Sequence, residues 1–98
     1  MAVLGSFVMQ PADEWEYDIV YREWLPPSDG LSDQVTPTVS VEPEGLEVGA
    51  VVRDYDNKAV RVWLSGGEDG TRYKVEVTTR TAEGRTRQDE FYVTVRDF

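Results

Sequence analysis

Tyr73-Lys74-Val75-Glu76-Val77-Thr78-Thr79-Arg80, then Ala82-Glu83-Gly84-Arg85, then Phe91-Tyr92-Val93-Thr94-Val95-Arg96 is the run of residues that decides the fold. Tyr73, Val75, Val77 and Thr79 share one phase, and Lys74, Glu76, Thr78 and Arg80 the other. Phe91, Val93 and Val95 alternate in the same way with Tyr92, Thr94 and Arg96. A period of two with β-branched and aromatic residues is the pattern of half-buried strands. Gly84 between them supplies the positive φ that a tight hairpin tip requires.

Upstream, the same period recurs and no 3.6-residue stripe interrupts it. Trp15, Tyr17, Ile19 and Tyr21 lie on one phase, which places Trp15 in the core beside Tyr17 and Ile19. Trp24-Leu25-Pro26-Pro27-Ser28-Asp29-Gly30 breaks into a loop. Thr38 to Val41 reads as a strand closed by a turn at Glu42-Pro43-Glu44-Gly45. Leu46, Val48, Ala50 and Val52 form a further alternating run, in which Gly49 marks a bulge. Asp54-Tyr55-Asp56-Asn57 is a turn, and Val60, Val62 and Leu64 occupy the apolar phase of the next strand.

Short strands separated by turns rich in Gly and Pro predict an all-β chain: a single small antiparallel β-sandwich of about seven strands, immunoglobulin-like or fibronectin-like in its Greek key. Asp69-Gly70-Thr71-Arg72-Tyr73 sharpens this. In immunoglobulin-like domains a Tyr near the start of the penultimate strand bonds through its hydroxyl to nearby upstream backbone. Tyr73 is placed for that role. Residues 13–98 form the domain, and residues 1–12, with Phe7, Val8 and Met9, form an N-terminal arm that orders on binding a neighbour.

The 98 residues suit one domain, large enough for a core without cross-links. With no Cys there is no disulfide scaffold and no thiol nucleophile; with no His the Ser–His–Asp route is closed. Ser–Lys chemistry would need Lys58 or Lys74 desolvated, and both stand in polar surroundings. Paired carboxylates occur at Asp13, Glu14, Glu16 and Asp18, but a glycosidase acid needs an apolar pocket that so small a sandwich does not offer. Asp54, Asp56 and Asn57 resemble the start of a calcium loop without its Gly and distal Glu, and a solvated acidic turn is the favoured reading. No cofactor is implied. Met1 to Met9 lacks a basic start and is interrupted by Gly5 and Ser6, so no signal peptide is expected there, and no apolar run is long enough to predict a membrane-spanning helix.

Nineteen acids against ten bases give a formal charge of −9. Residues 1–57 carry −10 and residues 58–98 carry +1. A nucleic-acid backbone or an anionic membrane would repel such a chain. The acidic half serves solubility, or, on the sharper reading, docks on a basic protein neighbour. Trp63 falls on the solvent phase of its strand with Arg61 and Ser65, where a Trp is a typical interface anchor or else packs under a loop or against the Arg61 stem. Trp24, just before Pro26-Pro27, anchors its loop or faces a neighbour. The candidate interface is thus Trp63, Trp24, Phe7, Val8, Met9 and Arg61. Because Trp and Tyr also stack on sugars, a glycan-binding or adhesive module is the alternative.

Val62-Trp63-Leu64-Ser65-Gly66-Gly67, followed by Gly70-Thr71-Arg72-Tyr73, resembles small tailed-bacteriophage structural proteins of the fiber–tail or head–tail adaptor type. Glu16-Tyr17-Asp18-Ile19, Gly45-Leu46, Gly84-Arg85 and the Phe91, Val93, Val95 alternation extend the resemblance over most of the chain. Val20-Tyr21 stands where relatives have Asp-Trp, and Asp33-Gln34-Val35 where they have Asp-Thr-Ile. The resemblance implies an immunoglobulin-like virion component, made in the host cytoplasm and without catalytic residues. It would dock in multiple copies on other phage structural proteins: tail, connector or fiber subunits.

Overall fold

A computed structural model describes residues 2–21, 24–32, 36–54 and 58–97, without the side chains of residues 2–4 and 54. Seven strands account for most of them: β1 (Ala2–Met9), β2 (Glu14–Val20), β3 (Thr38–Glu42), β4 (Leu46–Asp54), β5 (Ala59–Gly66), β6 (Arg72–Arg80) and β7 (Thr86–Val95). They form a four-stranded sheet ordered β1-β7-β6-β3 and a three-stranded sheet ordered β2-β5-β4. The two enclose one core, the arrangement of a β-sandwich.

The hairpin forms as its alternation predicts. β6 and β7 pair from Arg72 opposite Thr94 to Arg80 opposite Thr86, and Gly84 at the tip has φ 94°. Tyr73, Val75 and Val77 from β6 meet Phe91, Val93 and Val95 from β7 on the inner face. Val60, Val62 and Leu64 of β5 close the core from the other sheet. Each such side chain contributes about 1.5–3 kcal/mol when fully buried.

Three departures from the sequence reading shape the surface. Ala2–Met9, within the segment set apart as an arm, forms β1 and pairs in parallel with β7. The sheets are therefore not wholly antiparallel; the intervening strands supply the long crossover that a parallel pair requires. Met9, placed by the sequence in a docking segment, is a core residue at 2% exposure. It sits opposite buried Val95, and strand alternation turns it inward. In β4 the register shifts between Val48 and Val51, at the bulge that Gly49 marks. Beyond the shift it is Val51 that lies opposite inward-facing Val62, so Val52 turns outward rather than continuing the alternation of Leu46 and Val48.

Glycines of the Gly66-Gly67 and Gly45-Leu46 pairs close on Tyr73. The Tyr73 hydroxyl accepts a hydrogen bond from the Glu68 N–H at 2.9 Å, the bond its sequence position predicts. At Gly67, φ is 93°, and a Cβ would lie 2.7 Å from Val95 Cγ2 and 3.2 Å from the Tyr73 ring. At Gly45 a Cβ would lie 2.9 Å from the Tyr73 hydroxyl. These glycines let the backbone approach a buried ring.

The loop after β2 is stitched to the hairpin tip. Asp29 is buried; its carboxylate accepts from Arg85 Nη1 at 2.7 Å and from the N–H groups of Gly30 and Glu83. Leu31 makes an isolated bridge to Thr81, and the Ser32 N–H bonds to the Arg80 carbonyl. Burial pushes the Asp29 carboxyl up, but hydrogen bonds from Thr81, Arg85, Gly30 and Glu83 outweigh it and hold the pKa below its ordinary value.

Candidate functional site

Where the two sheets meet at their β1 and β2 edges, the core opens onto solvent. Phe7 on β1 faces inward, and its ring lies 5.1 Å from Tyr17 on β2 and 5.9 Å edge-on to Phe91 on β7. Tyr17 lies in turn 5.3 Å from Phe91. Separations and tilts of this kind suit aromatic quadrupoles. Phe91 is buried, yet Phe7 keeps 43% of its surface exposed. A hollow of about 310 Å³ lies between Phe7, Trp15, Tyr17 and Phe91.

Trp15 is the residue that alternation misplaces. It sits on the inward phase, opposite buried Leu64, but is 57% exposed. An inward phase guarantees burial only where the facing sheet continues above it, and Trp15 is the second residue of an edge strand that follows the turn at Gln10–Asp13. That turn was the signal that could have found it. Val8, on the outward phase of β1, is 56% exposed beside this mouth. Burial, and then the nearby Asp13 charge, raises the Tyr17 phenol above its usual pKa.

The other sequence-selected residues lie elsewhere. Trp63 is half-buried on the outer face of the three-stranded sheet, opposite Glu16 of β2. Arg61, on the same face, donates to both Asp18 carboxylate oxygens at 2.9 and 3.2 Å. Trp24 belongs to the stitched loop: its ring meets Tyr21 edge-on at 6.2 Å, and the Arg87 guanidinium lies 4.9 Å from its centroid. Tyr21 itself is buried in the core. Burial, chiefly, pushes its hydroxyl up to about 12.

The acidic residues are also sorted by the fold. Residues 1–57 do not form a spatial half, since β1 and β3 join β6 and β7. β2 and β4 instead flank β5, which brings Glu14, Glu16, Asp18 and Glu47 to one outer face. Among the described residues no group of three or more Asp or Glu side chains is placed to hold a metal ion. Of the suggested calcium turn, Tyr55, Asp56 and Asn57 lie outside the described residues, as do Asp33, Gln34 and Val35.

Residues 9–94 match the family described as podophage GP4 fiber-tail adaptor protein gp77. The chain belongs to that family. No curated protein matches it. Membership makes the adaptor a structural component of a phage virion. Several motifs that carry the resemblance turn out to serve the fold: in the adaptor, Gly45, Gly67 and Tyr73 form one packed corner. The exposed aromatic mouth of the adaptor draws instead on Phe7, Trp15 and Tyr17.

Proposed function

We propose that this chain is a non-catalytic immunoglobulin-like adaptor that joins tail or connector subunits to fibers, and that it docks through the aromatic mouth at the β1 and β2 edges. The observation that carries the docking assignment is an exposed aromatic group, Phe7 and Trp15 with Val8, continuous with buried Phe91. Large aromatic side chains dominate interface energetics because they bury much area at little entropic cost. Both strands at the mouth are edge strands, which have free backbone groups to offer a partner.

The strand order supports the immunoglobulin-like reading. β2-β5-β4 facing β7-β6-β3 corresponds to the B-E-D and G-F-C order of those domains, with β1 placed beside the last strand. The Tyr73 bond at the start of the penultimate strand supports it further. Trp63, Trp24 and Arg61 remain candidates for a second contact, in keeping with an adaptor that holds more than one neighbour. Copies in a closed ring would follow ordinary point-group assembly.

Mass spectrometry of purified virions of the source phage tests the role. The chain is expected among the structural proteins, and its absence would overturn the reading. An exposed Trp15 beside carboxylates also suits a sugar ring, so a glycan array is the companion measurement. A specific signal there would favour the adhesive module, and a blank array the adaptor.

A further inference from the structure

We infer that the hollow beside Trp63, on the outer face of the three-stranded sheet, receives an arginine side chain from a neighbouring protein. That the neighbour is a virion subunit rests on the adaptor reading above; the slot and its ligand chemistry do not.

The hollow exists because of the β4 bulge. The register shift between Val48 and Val51 brings Gly49 against Trp63, where a Cβ would already lie 3.4 Å from Trp63 Cβ and 3.6 Å from its carbonyl oxygen. A larger residue at Gly49 would crowd the Trp63 stem, and Gly49 and the short Ala50 add little bulk beside the half-buried side chain. The result is a space of about 270 Å³ lined by Glu14, Gly49, Ala50, Trp63, Leu64 and Ser65. A guanidinium with its stem is narrow, flat and amphipathic, and fits a slot with an aromatic wall.

Charge decides in favour of a cation over an apolar side chain. Glu14 lines the slot, Glu16 stands directly across from Trp63, and Glu47 directly across from Ser65. Beyond the strand ladders, none of these three carboxylates has an ion pair or side-chain hydrogen bond among the described residues. Arg61 is the cation of this face among the described residues, and its guanidinium is engaged by Asp18 at 2.9 Å. The slot therefore combines an indole with Glu14 in its lining, and Glu16 and Glu47 occupy neighbouring positions on the same outer face. A guanidinium can lay its plane on the indole while its edge N–H groups reach a carboxylate. Lysine can supply the charge but not the planar stacking.

The test uses the full chain, labelled with nitrogen-15 and titrated with end-blocked tetra-arginine. Saturable shifts are expected at the Trp63 indole N–H and the Gly49 and Ala50 amides. End-blocked tetra-citrulline, similar in shape but uncharged, should bind about tenfold more weakly or not at all. Combining Glu14→Gln with Glu16→Gln should weaken tetra-arginine by roughly fivefold or more, and raised salt should weaken it further. Trp63→Leu should also weaken binding with the spectrum still dispersed; the paired Gln variant tests the slot even where Trp63→Leu fails to fold. Equal binding of citrulline, shifts confined to other faces, no saturable shift, or unchanged affinity in the Gln variant would each overturn the proposal. Arginine binding by a chain absent from virions would leave the slot standing and remove the adaptor role; a virion chain that ignores arginine would do the reverse.

Discussion

The ring of Phe7 on the four-stranded sheet lies 5.1 Å from that of Tyr17 on the three-stranded sheet. This contact bridges the two sheets at the edge where the core opens, and both rings lean on buried Phe91. The exposed Phe7 ring is thus an extension of the core. Preorganised aromatic anchors bind without a large ordering cost. That is a physical reason to place the main docking contact here.

Trp15→Ser separates docking from folding. With more than half of its surface exposed, its loss should change stability by no more than about 0.5 kcal/mol. Docking on the partner should weaken by about 2 kcal/mol or more. Phe91→Ala, by contrast, should cost about 3–5 kcal/mol of stability. Denaturant unfolding beside a partner-binding assay reads both effects.

Gly67→Ala and Gly70→Ala test the packed corner. Both positions have positive φ, but a Cβ at Gly70 meets nothing within 4 Å, whereas at Gly67 it meets Val95 at 2.7 Å. Gly70→Ala should cost about 1 kcal/mol from backbone strain alone. Gly67→Ala should cost clearly more, since strain and overpacking act together. Equal denaturation midpoints for the two variants would contradict this.

Tyr73→Phe removes the hydroxyl that accepts from Glu68 N–H and leaves the ring in place. A loss of about 0.5–1.5 kcal/mol is expected, measured by equilibrium unfolding. A neutral outcome would mean that the bond adds nothing to the corner beyond the packing of the ring.

Asp29→Asn tests the stitched loop through pH. The Asp29 pKa is held below its ordinary value, so the ionised form stabilises the folded chain. That stability is fully present above the unfolded value of about 3.9 and is lost as pH falls through the lower folded value. Thermal unfolding should therefore show wild type above the variant at neutral pH. The gap should close as the pH drops below about 4. A gap that is constant with pH would assign the effect to something other than the charge.

Much of the fold was legible in the sequence, because period two is a local property. The β6 and β7 alternation, the bulge at Gly49, the positive φ at Gly84 and the Tyr73 bond all follow from neighbouring residues. What local pattern could not supply was the lateral extent of the facing sheet. Met9 and Trp15 share the inward phase of their strands, yet one is buried and the other exposed. That difference depends on where β1 and β2 end relative to each other, which is a relation between sheets. The parallel pairing of β1 with β7 is non-local in the same sense, since it joins the two ends of the chain. Asp29 illustrates the same point for charge: its partner Arg85 is distant in sequence and adjacent only in the folded hairpin.

Hydroxyl-radical footprinting of the free chain and of intact virions tests the docking surface most directly. Phe7 and Trp15 should oxidise readily in the free chain and become protected in the particle, while buried Phe91 stays protected in both. Undiminished oxidation of Phe7 and Trp15 in virions that contain the chain would contradict docking through the β1 and β2 edges.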